Sequence, residues 1–236
     1  MANLDCRCLG IGFEGRREPN FSEAQCCFSS HGQPSSQILK RLPPKKAAHI
    51  ASIRDRGHQS SVLMAYILLE LAVSAFSFPP PLRTLLWDKN GRPSFDGRPD
   101  IFFSLSHCDH AAACIAATYP VGIDVERLDQ PLQDFEELAK MMGFQDVRSP
   151  VHFLALWTMW ESYVKYSGGC PPPRNLRLLP EGPVFFLKEG ETVLPAEFRL
   201  YRPTPTFLTA ICMQRGAPAP SFSKSPQTIH KEISLL

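Results

Sequence analysis

The chain reads as an α+β protein of two similar pseudo-symmetric lobes, each a small, mostly antiparallel sheet packed with a long helix. Three observations lead there. Long apolar-striped helical segments occur in both halves, at 59–73 and 151–166. In each half short alternating strands follow the helix, at 101–118 and 184–213. The 236 residues, 44% of them hydrophobic, suffice for one large domain or two small ones. The expected boundaries are an N-terminal lobe over 1–119, a C-terminal lobe over 120–215 and a flexible, Pro- and Ser-rich tail over 216–236.

The elements follow in order. Cys8 to Phe13 and Ala24 to Phe28 have strand character, and His31 to Ser36 is a polar turn. Leu42-Pro43-Pro44 marks a helix start, because proline is accepted in a first turn. A basic segment runs from Lys45 to Arg56. From Gln59 to Val73, the residues Val62, Ala65, Tyr66, Leu69 and Val73 form one helical stripe. Pro79-Pro80-Pro81 closes it, and Asn90-Gly91-Arg92-Pro93 is a turn. Ile101 to Ser106 and Ala111 to Thr118 read as strands. Tyr119-Pro120 leads to a third, Val121 to Glu126, and the short link predicts an antiparallel hairpin of Ala111–Thr118 with Val121–Glu126. Gln133 to Met142 and Val151 to Tyr166 read as helices; Val184 to Leu187, Ala196 to Tyr201 and Phe207 to Met213 read as strands.

Charge and composition exclude several classes. A net charge of +2 offers no polycation for nucleic acid. No apolar run reaches the roughly 20 residues of a membrane span. The N-terminus lacks the basic start and apolar core of a signal peptide. The eight cysteines form no C-x-x-C pair, so zinc-ribbon spacing is absent. Cys114 and Cys212 lie in apolar runs and read as buried free thiols, which fits a reducing cytoplasm.

The chemistry concentrates in three carboxylates. Asp124 and Glu126 alternate with Val121, Ile123 and Val125, so both point to one side of a strand. Glu161 follows on a helix whose stripe is Phe153, Leu156, Trp157, Trp160 and Val164, with Thr158, Glu161, Ser162 and Lys165 on another face. Hard oxygen donors from a strand and a helix suit Mg²⁺. Glu161 and Lys165 are also spaced as an ordinary exposed i,i+4 ion pair.

Gly122-Ile123-Asp124-Val125-Glu126 and Trp157-Thr158-x-x-Glu161-Ser162-Tyr163-x-Lys165 resemble the two signatures of the 4′-phosphopantetheinyl transferases. Phe103-Ser104-Leu105-Ser106-His107 is similar to the strand that precedes them, and Gly91-Arg92-Pro93 to the family's Gly-Lys-Pro turn. Order and spacing agree from Gly91 to Lys165, and the length fits the two-lobed Sfp type. The resemblance implies a monomer that moves the phosphopantetheine arm of coenzyme A onto a serine of an apo acyl or peptidyl carrier protein and releases 3′,5′-ADP. It implies an active site at the interface of the lobes, and a place in polyketide, non-ribosomal peptide or fatty-acid synthesis.

Carried onto this chain, it makes Asp124, Glu126 and Glu161 the Mg²⁺ ligands. Glu161 is also a proton acceptor, and Lys165 steadies the leaving pyrophosphate. Lys45, Arg54, Arg56, Arg92, Ser106 and His107 are the expected coenzyme A contacts, with Lys46 beside them. The chain departs from the pattern at Trp160, where the family has lysine before the helix glutamate, and at Ser60-Ser61, where it has arginine. Two other readings stay open: a non-catalytic coenzyme A or carrier-protein binding module, and another Mg²⁺-dependent phosphodiesterase. His49 and His58 have no metal-ligand spacing and receive no role.

Overall fold

The computed structural model describes residues 25–29, 36–74, 76–170, 176–181, 184–189, 191–218, 220 and 227–228. The expected strand at Cys8 to Phe13, nearly all of the His31 to Ser36 turn and most of the tail lie outside them. The fold is mixed helix and sheet. The chain divides into two compact units, Met1–Val121 with Pro218–Lys224, and Gly122–Ala217 with Ser225–Leu236. No described helix is long and apolar enough to cross a membrane.

The first unit holds β1 (Gln25–Ser29), α1 (Pro44–Ala51), α2 (Arg56–Val73), β2 (Leu85–Trp87), β3 (Pro93–Phe95), β4 (Phe102–Cys108) and β5 (Ala111–Ala117). Its sheet runs β1-β5-β4, antiparallel throughout. β5 is central and buried along its whole length. Its run of alanines lets α2 approach closely. α2 starts where Asp55 caps it, the Asp55 carboxylate accepting from the His58 N–H at 2.6 Å. It buries Leu68 and Leu69 completely, with Val62, Leu63 and Val73, against the sheet. Each such leucine stabilises the fold by about 1.5–3 kcal/mol. β2 and β3 form a separate hairpin. In its turn Asp88 accepts from the N–H groups of Asn90 and Arg92, and Gly91 takes the left-handed conformation at φ +80°.

The second unit opens with β6 (Val121–Arg127), whose first residue ends the first unit, and continues through α3 (Phe135–Met142), α4 (Pro150–Tyr166), β7 (Leu176–Glu181), β8 (Val184–Glu189), β9 (Thr192–Val193), β10 (Ala196–Thr204) and β11 (Phe207–Gln214). The strand order is β6-β11-β10-β8-β7, with β9 on β8 and β12 (Gln227–Thr228) on β10. The hairpin expected between Ala111–Thr118 and Val121–Glu126 does not form. β5 is already paired on both edges, by β1 and β4, and β6 pairs with β11 instead.

α4 has Ser149 as its cap, accepting from the His152 N–H at 3.1 Å, and Pro150 in its first turn. It lies on β10 and β11, burying Phe153, Leu156 and Met159 against Phe198, Leu200, Ala210 and Cys212. Cys114 and Cys212 are buried free thiols, as expected.

Candidate active site

The site begins with a glycine. A β-carbon at Gly122 would lie 2.0 Å from the Ser162 carbonyl oxygen and 2.6 Å from the Tyr166 amide nitrogen. Both are backbone atoms of α4, so β6 and α4 touch main chain to main chain, and only a hydrogen fits between them. Gly122, Asp124 and Glu126 alternate to the same side of β6. The contact at Gly122 therefore delivers both carboxylates to α4, where Glu161 and Lys165 sit one turn apart.

Asp124 is buried and accepts from Lys165 Nζ at 2.6 Å. The i,i+4 spacing on its own also allows an exposed Glu161–Lys165 pair. Instead Lys165 reaches across to the strand, because a buried carboxylate needs a counter-charge more than a half-exposed one does. Glu126 is half-buried and accepts from the Trp157 indole N–H at 3.0 Å. Its pKa is pushed up from 4.5 to about 7. Burial is the main cause and the neighbouring Asp124 charge the next; the Trp157 hydrogen bond and Lys165 pull it back. The pKa of Glu161 is also raised, by burial and then by Asp124, against Lys165. The three carboxylates repel one another with one ammonium among them.

The predicted polar face of α4 needs correction. Thr158 and Ser162 are fully buried, and their hydroxyls donate back to the carbonyls of Leu154 (2.5 Å) and Met159 (2.7 Å). Ser162 stands where β6 comes closest to the helix, at Gly122. On the apolar stripe, Phe153 and Leu156 are buried, whereas Trp157, Trp160 and Val164 are half-buried. Trp160 packs on the core of this unit and stacks on Trp157, centroids 5.8 Å apart at 16°.

The expected coenzyme A contacts belong to the first unit. Ser106 is buried near the end of β4, and His107, next to it, is exposed. The His58 ring lies 5.4 Å from that of His107, so the start of α2 meets the end of β4. Arg54 and Arg56 flank the capping residue Asp55 at that helix start, and both are exposed. Lys45 is exposed on α1, and Arg92 is half-buried in the β2–β3 turn. Lys46 is committed elsewhere. Its ammonium lies 5.4 Å from the Trp87 ring centre and 5.9 Å from that of Tyr66, and burial lowers its pKa.

Sequence reasoning missed three participants. Nothing in the sequence pairs His58 with His107, whose ring it meets. Gly122 stands out as the glycine of a β-branched strand, which signals close backbone approach. Nothing in the sequence pairs Trp157 with Glu126.

Among the described residues no group of three or more His, Cys, Asp or Glu side chains is arranged to hold a metal ion. The donor chemistry nonetheless fits a divalent cation. Three crowded carboxylates, two of them held above their usual pKa, are relieved by one.

A strand and a helix thus bring three carboxylates and a lysine together, and the chain is similar to several known proteins. The 4′-phosphopantetheinyl transferase gsp of Aneurinibacillus migulanus is 27% identical over 143 residues, 57% of this chain and 57% of gsp. A 4′-phosphopantetheinyl transferase of Bacillus subtilis is 26% identical over 185 residues, 73% of this chain and 77% of that protein. 4′-Phosphopantetheinyl transferase AcpT of Salmonella typhi is 25% identical over 214 residues, 86% of this chain and 97% of AcpT. The chain thus spans just over half of gsp and nearly all of AcpT. No family model matches it. The chain is similar to these 4′-phosphopantetheinyl transferases at 25–27% identity.

Proposed function

We propose that this chain transfers the 4′-phosphopantetheine arm of coenzyme A to a serine of an apo carrier protein, releasing 3′,5′-ADP. The observation that carries the reading is the meeting of Asp124 and Glu126 on β6 with Glu161 and Lys165 on α4, enforced by the contact at Gly122. The name these relatives share supports it. Each unit also lays one long helix on a sheet with antiparallel pairings, α2 in one and α4 in the other, which supports the expected likeness of two lobes.

In this reading Asp124, Glu126 and Glu161 hold Mg²⁺, which when bound supplies charge neutralisation for a pyrophosphate. The chain's own groups do the rest. The attacking serine oxygen forms a bond to the phosphorus bearing the pantetheine arm, and the bridging phosphorus–oxygen bond of the pyrophosphate breaks. Glu161 accepts the serine proton; its burial beside Asp124 makes it more basic than an ordinary carboxylate. Lys165 steadies the departing phosphate with its ammonium. His107, His58, Arg54 and Arg56 meet phosphate groups of coenzyme A, with Ser106, Lys45 and Arg92 as further contacts. Phosphoryl transfer needs positioning and charge more than covalent help, which matches this inventory.

The binding-module alternative rests on Trp160 having displaced a lysine. Its place in a ring stack gives that residue a packing reason and leaves all three carboxylates intact. The decisive test compares wild type with Asp124→Ala and Glu161→Ala, using labelled coenzyme A and apo carrier proteins, with circular dichroism as the folding control. Both variants are expected to fold and to lose transfer. Near-wild-type turnover in either would refute the assignment.

A further inference from the structure

Trp160 is the motif position that the transferase reading does not absorb, and its surroundings give it a role. Trp157 stands between two rings on α4. Phe153, one turn before, stacks on it at 6.3 Å and 19°, and Trp160, one turn after, at 5.8 Å and 16°. The indole is thereby held against rotation. Its only polar group, a donor that can neither accept nor carry charge near neutral pH, points at Glu126 Oε1, 3.0 Å away. We infer that Trp160 and Trp157 form a clamp that aims Glu126, with Trp160 a positioning residue acting through Trp157. The inference rests on the metal-dependent transfer proposed above.

The chemistry of the clamp differs from that of the other strand carboxylate. Asp124 is held by an ammonium, which cancels its charge. Glu126 is held by a neutral donor, which orients one oxygen without supplying a counter-charge and leaves the second oxygen for a cation. A lysine at position 160 would add positive charge beside Glu161. The tryptophan adds none and supplies a flat face to Trp157. Groups that orient a metal ligand from behind are commonly worth about 10–100-fold in metal affinity.

The test titrates Mn²⁺ alone into the full chain, following free Mn²⁺ by electron paramagnetic resonance, and records the indole N–H signals by ¹H–¹⁵N spectroscopy without metal. Asp124→Ala is the control for the site and should abolish tight binding. Trp157→Phe keeps a ring in the stack but removes the donor, and should weaken Mn²⁺ by about 10–100-fold. Trp160→Phe keeps a flat face and should bind as wild type does. Trp160→Leu should fall between wild type and Trp157→Phe, with the Trp157 N–H signal moved upfield as its hydrogen bond loosens. If Trp160→Leu does not fold, Trp160→Met removes the flat face with a more adaptable side chain. Wild-type affinity and an unmoved indole signal in the Leu or Met variant would overturn the clamp. So would Trp160→Phe binding as weakly as they do. If Asp124→Ala binds Mn²⁺ like wild type, the metal reading itself falls, while the indole signals still decide whether Trp160 holds Trp157.

Discussion

Adding a single methyl at Gly122 should dismantle the site. The β-carbon of Gly122→Ala would stand 2.0 Å from the Ser162 oxygen and 2.6 Å from the Tyr166 nitrogen. Carbon–heavy-atom contacts relax at about 3.5 Å, so the helix must retreat from the strand by roughly 1 Å or more. Neither clashing atom can rotate away, since both are main chain in the last two turns of α4. Overpacking of this kind costs about 1–3 kcal/mol, and the absence of any side-chain escape puts this site at the upper end. For a chain of this size that corresponds to a melting temperature lower by about 6–12 °C. An ångström of displacement between reacting groups costs about 100-fold in rate. Thermal denaturation and a transfer assay on the same preparation read both effects. A variant that melts within a degree of wild type, with undiminished transfer, would refute the close contact and the positioning argument built on it.

The crowded carboxylates make stability depend on pH. Glu126 keeps its proton up to about pH 7 in the folded chain against 4.5 ordinarily, so between those values the folded state binds more protons than the unfolded one. Without divalent metal, urea midpoints should therefore fall as pH rises from 4.5 to 7, by up to about 3 kcal/mol, and Glu126→Gln should flatten the slope; a flat wild-type profile would contradict it. Lys165→Met leaves the Asp124 carboxylate buried without its ammonium and should cost about 3 kcal/mol. Adding Asp124→Asn should recover most of this in a double-mutant cycle, and strictly additive losses would deny the coupling. Trp160→Lys should lower the melting temperature without speeding transfer, since the ring stack outweighs the restored cation; a faster, equally stable variant would contradict the packing role.

The sequence made the local elements legible because their signals are local. The helix start at Pro44, the stripe from Val62 to Val73 and the alternation in Val121 to Glu126 each depend on neighbours within a few residues. The carboxylates could be grouped because a strand fixes side-chain direction by parity. What escaped was pairing at a distance. The short Tyr119-Pro120 link invited a hairpin, but β1, more than 80 residues away from its partner β5, already held the edge that the hairpin needed. The β2–β3 hairpin and β7 carry too few alternating apolar residues to announce themselves. Within the site, the bond from Lys165 to Asp124 and that from Trp157 to Glu126 span 41 and 31 residues. Periodicity places Lys165 beside Glu161 and Trp157 on the apolar stripe, and it carries no information on which strand the helix will lie against.

The central claim is tested most directly by intact mass. The purified chain is incubated with coenzyme A, Mg²⁺ and a panel of apo acyl and peptidyl carrier proteins, and each carrier is weighed before and after. The account predicts a gain of one phosphopantetheine on at least one carrier, accompanied by 3′,5′-ADP and abolished by a chelator. No gain on any carrier, from a chain that still binds coenzyme A, would contradict it.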